Sequence, residues 1–114
     1  MRPRDARPHL YDVAQACELL MRFTRGKTFD DYAVDPMLRS AVERQFEIVG
    51  EALSRATELD GSLDGRITGT RRIIAFRNRL IHGYATVSDE VVWGIIEGSL
   101  STLRDEVKAL LGEE

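Results

Sequence analysis

The strongest constraint on the fold is a spacing: along four stretches of the 114-residue chain, apolar residues recur every three or four positions. That period places the apolar side chains on one face of an α-helix. Helix-forming Leu, Ala, Glu and Arg are abundant, and the chain holds only three prolines. The sequence therefore predicts an all-α fold.

Local signals predict where the first two helices lie. The first is expected to begin near Pro8, because proline suits the first turn of a helix, and to end at Gly26, because glycine suits a helix C-terminus. A short extra helix is expected over residues 28–35, with Thr28 as its cap.

The next two helices also have boundary signals. Asp35 and Pro36 predict the start of the second long helix, since Asp is a favoured cap and Pro a favoured first helical residue. This helix is expected to end before residues 60–65. The third long helix is predicted to run from about Arg66 to His82.

The fourth long helix is expected to be capped by Ser88 and closed by Gly112. Four amphipathic helices with short connections predict an antiparallel four-helix up-and-down bundle. A chain of this length is enough for one domain and too short for two, so residues 1–114 are predicted to form a single domain.

Charge and cysteine content restrict the function. A net charge of −3 argues against a generally positive surface for nucleic acid, although residues 71–79 hold four arginines. Cys17 is the one cysteine, so neither an intramolecular disulfide nor a thiolate metal cluster can form. No signal-peptide pattern or apolar stretch of about 20 residues is visible. We therefore expect a cytoplasmic protein with no membrane partner, metal or cofactor.

An arginine lies in the middle of the third helix's apolar stripe. At about 100° per residue, four apolar side chains fall within about 60° of Arg77: Ile73, Ile74, Leu80 and Ile81. A buried guanidinium without a partner would be costly. The sequence leaves two interpretations: a salt bridge or solvent-reaching side chain, or an anion site that faces a cleft or another subunit.

Three further polar or aromatic residues lie close to this arginine along the chain. Asn78 and His82 fall on the flank of the stripe, and Tyr84 follows. An imidazole titrates near neutral pH, which suits a general acid or base. Each residue also has an ordinary interpretation, because a lone histidine is common on surfaces and a lone tyrosine is common in packing.

In combination, Arg77, Asn78, His82 and Tyr84 resemble the Arg-x4-His-x-Tyr motif of HepT-like proteins in the HEPN superfamily. Other segments are similar to the same family: GKTFDDY at residues 26–32, ERQFEIVGEAL at residues 43–53 and VSDEVVWGII at residues 87–96. The likeness extends along nearly the whole chain, so it is far more specific than the motif alone.

The resemblance implies a homodimer whose motif helices meet at a cleft between the subunits. It also implies the toxin of a HEPN toxin–antitoxin pair, a metal-independent endoribonuclease that cleaves RNA such as tRNA or mRNA. The implied antitoxin is a cognate minimal nucleotidyltransferase, which neutralises the toxin by AMP transfer to Tyr84.

The motif residues receive catalytic roles from this resemblance. Arg77 would hold the scissile phosphate, and His82 would transfer protons. Asn78 would orient the histidine or the scissile group. The other arginines of the third helix would form a local RNA-binding surface: Arg71, Arg72 and Arg79.

Two positions of the second long helix are expected to be structural. Gly50 would permit close approach of another helix, and Glu51 would pair with an arginine. An alternative function also remains open at this point. The chain could bind nucleotide or RNA, or act as the AMP-accepting partner subunit, without nuclease activity of its own.

Overall fold

The computed structural model describes residues 6–82 and 87–112. Within these ranges all regular structure is helical, and the all-α prediction is confirmed. The α-helices, numbered in chain order, are α1 (Arg7–Thr24), α2 (Phe29–Val34), α3 (Pro36–Leu59), α4 (Thr70–His82), α5 (Asp89–Gly98) and α6 (Leu100–Leu111), with a 3₁₀ helix at Gly61–Gly65 between α3 and α4.

The predicted starts of α2 and α3 rest on capping contacts. Thr28 Oγ1 accepts a hydrogen bond from the Asp31 amide at 3.1 Å, and the Asp31 carboxylate accepts one from the Thr28 amide at 2.9 Å. This reciprocal pair is a capping box, with Asp in the place of the more usual Glu. Asp35 caps α3 by accepting from the amides of residues 37 and 38. Gly26 follows α1 with a φ of 73°, a conformation that glycine adopts without strain.

The predicted start of the third long helix at Arg66 is wrong. The α-helix begins at Thr70, after Gly69 with its φ of 75°. An α-helix cannot include a residue in this left-handed region. Thr68, the residue before Gly69, is hydrogen-bonded to α6: its amide and hydroxyl donate to the Glu106 carboxylate at 2.9 and 2.7 Å.

The helix predicted from Ser88 to Gly112 is divided into α5 and α6. Ser88 caps α5 as expected, through a hydrogen bond from the Val91 amide to its hydroxyl. The division lies at Ser99, directly after Gly98, where two weak helix formers are adjacent. The Ser99 amide still donates to the Ile95 carbonyl at 3.0 Å, so helical hydrogen bonding continues across the division.

The buried core lies mainly along α1 and α3. Helix α1 packs against α3 and α6, and α3 also packs against α4. The fully buried side chains include Leu20, Tyr32, Val42, Leu53, Leu100 and Val107. The rest of the chain covers α4 much less. Two residues of this helix are buried, Thr70 and Phe76. The helix that carries the motif therefore leaves much of its surface open in the single chain.

In the part of the chain that the structure describes, no helix has the length and apolar character needed to cross a lipid bilayer.

Candidate functional site

Arg77 lies where α4 comes closest to α3. A Cβ atom at Gly50 would overlap Cβ of Arg77 and would lie 2.6 Å from its Cγ. The arginine stem therefore occupies the volume that a side chain at position 50 would need. The expected role of Gly50 in close helix approach agrees with this contact, and the contact fixes where the stem of Arg77 runs.

Two neighbours hold the guanidinium of Arg77. Nη2 donates to Glu51 Oε1 at 3.0 Å, and Nη1 donates to Asn78 Oδ1 at 2.9 Å. The side chain of Arg77 is 24 % exposed and that of Glu51 is 47 % exposed. The salt bridge is therefore at the protein surface, and the guanidinium remains accessible from solvent.

Glu51 is shared between two arginines. Its Oε2 accepts from Arg55 Nη2 at 3.1 Å and from Arg55 Nε at 3.3 Å, while its Oε1 faces Arg77. The hydrogen bonds from Arg55 and then from Arg77 lower the pKa of the Glu51 carboxyl. One carboxylate thus faces two guanidiniums, which leaves a net positive charge beside Arg77. Such a site attracts anions.

The other predicted catalytic residues lie at the end of α4. Asn78 Oδ1 accepts a hydrogen bond from Arg77, and its predicted role in orienting the histidine or the scissile group stays a prediction. His82 is exposed and is the last residue of α4. Tyr84, the predicted site of modification, lies outside the described residues.

The three predicted RNA-binding arginines are all exposed but lie on different sides of α4. Arg71 is 88 % exposed and forms an ion pair with Asp64 at 3.4 Å. Arg72 and Arg79 line a groove on another side of the helix. The basic segment is therefore spread around α4 and is not one flat patch.

That groove, which the sequence did not predict, separates α4 from α5 and the start of α6. It has a volume of about 510 Å³ and is mostly apolar. Its lining includes Ile73, Phe76, Val91 and Ile95, together with Arg72 and Arg79. We call it the α4–α5 groove. Val91, at its side, is 47 % exposed.

No set of three or more His, Cys, Asp or Glu residues in the described ranges is arranged to hold a metal ion. Cys17 is buried in the core, and burial raises the pKa of its thiol to about 12. The thiol is therefore protonated and poorly reactive in the folded protein.

Comparison with known proteins gives consistent matches along the chain. The family model described as Ribonuclease HepT-like matches residues 13–110. A protein of Caldanaerobacter subterraneus named as a candidate RNase is 32 % identical over 108 residues, which is 95 % of this chain and 96 % of that protein. A Thermococcus cleftensis protein named as a candidate ribonuclease HepT is 32 % identical over 107 residues, or 94 % of this chain and 96 % of its own length.

A third relative, from Methanocaldococcus jannaschii and also named as a candidate RNase, is 27 % identical over 118 residues and covers 100 % of this chain and 97 % of its own. No solved structure gives a significant match. The family model covers most of the chain, and two relatives exceed 30 % identity over nearly their full lengths. The chain therefore belongs to the HepT-like ribonuclease family of the HEPN superfamily.

Proposed function

We propose that this protein is a metal-independent endoribonuclease whose active site contains Arg77 and His82 of α4. The proposal rests on the environment of the Arg77 side chain. Its guanidinium is held by Glu51 and Asn78, stays accessible, and lies in a cluster with net positive charge. An arginine in this condition can bind a phosphodiester through two parallel hydrogen bonds.

The chemistry needs two proton transfers and stabilisation of charge on phosphorus. A base removes the proton of a ribose 2′-hydroxyl, and the 2′-oxygen attacks the adjacent phosphorus. The bond from phosphorus to the 5′-oxygen breaks, and the leaving oxygen takes a proton from an acid. The products are a 2′,3′-cyclic phosphate and a 5′-hydroxyl. His82 would supply the proton transfers, worth about 10²–10⁴-fold, and Arg77 would stabilise the phosphorane.

A homodimer would provide both the acid and the base. Each chain has two histidines, and only His82 lies on the motif helix, since His9 belongs to α1. Two copies of His82 at one cleft could remove one proton and donate the other. The dimer would be part of the catalytic mechanism, because a single chain offers one such imidazole.

The surface of α4 supports dimerisation. Its apolar residues are incompletely covered, Ile81 being 47 % exposed, and the α4–α5 groove runs beside it. At about 100° per residue, Arg79 of the groove and His82 lie within about 60° of each other around the helix. A second copy seated on the groove would thus lie beside His82. By the same count Arg77 lies about 160° from Arg79, on the side of α4 that faces α3.

The test is cleavage of cellular RNA or tRNA in the presence of EDTA. Wild-type protein should cut, and His82→Ala should lose at least about a hundredfold in rate. His9→Ala is the matched control, because it removes the other histidine and should cut normally. If His82→Ala cuts as fast as the wild type, the assignment of His82 is wrong.

We further propose that the protein is the toxin of a toxin–antitoxin pair and that a cognate minimal nucleotidyltransferase neutralises it. The phenol oxygen of Tyr84 would attack the α-phosphorus of ATP, and pyrophosphate would leave. The phosphate attached to Tyr84, which is two residues after His82, would bring negative charge towards the positive cluster at Arg77 and would repel RNA.

Intact mass after incubation with the enzyme and ATP tests this route. An increment of one or more AMP groups is expected on the wild type and not on Tyr84→Phe. An unmodified wild type would overturn the route. Modification of a protein that never cuts RNA would favour the alternative function, an AMP-accepting partner subunit without nuclease activity.

A further inference from the structure

Glu51 makes the hydrogen bond that joins two helices at the candidate site. It belongs to α3, whereas Arg77 belongs to α4, and the 3.0 Å hydrogen bond between them joins the two helices. The partner on the other side of the guanidinium, Asn78, is the next residue along the chain. Glu51 is therefore the one contact of the two that fixes the guanidinium relative to a different helix.

The pattern of donors leaves a pair of N–H groups for a ligand. Each terminal nitrogen of an arginine carries two N–H groups. Nη1 donates one to Asn78 and Nη2 donates one to Glu51, while Nε is buried without a partner among the described residues. One N–H therefore remains on each terminal nitrogen. Two N–H donors are thus available to the oxygens of a phosphodiester.

Arg55 makes this arrangement compatible with anion binding. A carboxylate beside Arg77 would compete with phosphate if its charge were not offset. The second oxygen of Glu51 accepts from Arg55 at 3.1 and 3.3 Å, so the charge of this carboxylate is offset by a second guanidinium. Glu51 touches Arg77 through a single oxygen. It can orient the guanidinium without filling the phosphate position.

We infer that Glu51 is a positioning residue, which aims the two remaining terminal N–H groups of Arg77 at the scissile phosphate. This inference rests on the proposed nuclease function. It makes a distinctive prediction about kinetics, because removing a carboxylate strengthens general attraction for RNA while loosening Arg77. If Glu51 only competed with the phosphate for Arg77, its removal would instead raise the rate.

The experiment is steady-state cleavage of one RNA substrate by wild type, Glu51→Ala and Glu51→Gln. In Glu51→Ala, kcat should fall about tenfold to a hundredfold, because displacement of a catalytic group by about 1 Å costs about that much. KM should stay the same or fall, since the site becomes more positive. Glu51→Gln keeps an oxygen that can accept from Arg77, and part of the lost kcat should return.

The matched control is Glu47→Ala. Glu47 lies one turn earlier on α3 and pairs with Arg44 at 3.4 Å, so its removal also breaks one surface ion pair. It should leave kcat unchanged. Combining Glu51→Ala with Arg77→Ala provides a second check. If Glu51 acts through Arg77, the double variant should be no slower than Arg77→Ala alone.

The outcomes separate the two proposals. An inactive wild type overturns the nuclease function and the role of Glu51 together. An active wild type with an equally active or faster Glu51→Ala overturns the role of Glu51 alone. A further loss of rate in the double variant would also overturn it, because Glu51 would then act independently of Arg77.

Discussion

Gly50 of α3 and Arg77 of α4 are in direct contact, and the arginine stem lies in the volume that a side chain on the glycine would occupy. The next residue, Glu51, binds the head of the same arginine at 3.0 Å. Two consecutive residues of α3 thus define the path and the direction of Arg77. Arg77, Asn78 and His82 of the family motif lie on α4, whereas two residues that contact Arg77 lie on α3.

Replacing Gly50 with alanine should destabilise the protein and displace Arg77. The added methyl group overlaps Cβ of Arg77, and overpacking of this kind costs about 1–3 kcal/mol. Gly94→Ala in α5 is the control, because a Cβ there meets nothing within 4 Å. It should stabilise by about 0.4–1 kcal/mol. Urea unfolding at fixed protein concentration measures both. A Gly50→Ala protein as stable as the wild type would contradict the contact.

Replacing Arg77 with lysine should abolish most activity although the charge is kept. Lysine has one terminal nitrogen and cannot bind Glu51, Asn78 and a phosphate in one plane. We expect kcat to fall about a hundredfold or more, as for loss of a transition-state donor. Arg44→Lys is the control, since the side chain of Arg44 on α3 is 68 % exposed and should tolerate the change. Equal rates for Arg77→Lys and the wild type would show that bidentate contact is not used.

A charge in the α4–α5 groove should break the proposed dimer. Val91 is 47 % exposed at the groove, and an aspartate there would place a charge in a mostly apolar contact surface if a second copy covers it. Val91→Asp should therefore be monomeric in sedimentation or light-scattering measurements and should lose RNA cleavage. Val34→Asp is the control, because Val34 on α2 is 79 % exposed and does not line the groove. A dimeric Val91→Asp protein would place the interface elsewhere.

The buried thiol of Cys17 should make stability depend on alkaline pH. Its pKa is raised to about 12, chiefly by burial, whereas in the unfolded chain it ionises near pH 8.5. The unfolded state therefore loses the proton first, and the contribution to stability is full below about pH 8.5 and falls as pH rises towards about 12. Unfolding between pH 7 and 10 should show a steeper loss for the wild type than for Cys17→Ala. Parallel curves would contradict the raised pKa.

The same thiol should resist alkylation in the folded protein. At pH 8 the shift lowers its thiolate fraction by roughly three orders of magnitude, and the side chain is shielded as well. Reaction with iodoacetamide should become fast when the protein is unfolded in urea.

The sequence predicts those parts of the fold that depend on neighbouring residues. The caps at Thr28, Asp35 and Ser88 are found as expected, because each side chain bonds an amide two or three positions away. The start of α4 was missed. A helix could accommodate Gly69 at modest cost, but in the structure Gly69 is left-handed and follows Thr68, which donates to Glu106 on a helix distant in sequence.

In the candidate site, too, the sequence predicts the features that depend on nearby residues and not those that depend on packing between helices. The helical period alone indicates that Arg77 lies within an apolar stripe and therefore needs a partner. The sequence also suggested that Glu51 pairs with an arginine, but not which one, because that depends on how α3 packs against α4. The α4–α5 groove depends on how α4, α5 and α6 pack against one another, and the spacing of apolar residues carries no information about that packing.

The most direct test of the central claim is the chemistry of the cut ends. RNA incubated with the wild-type protein in EDTA should give fragments with 2′,3′-cyclic phosphate and 5′-hydroxyl ends, identified by mass spectrometry, and Arg77→Ala and His82→Ala should give almost none. Fragments with 3′-hydroxyl and 5′-phosphate ends, or cleavage that stops in EDTA and returns with Mg²⁺, would contradict a mechanism based on Arg77 and His82.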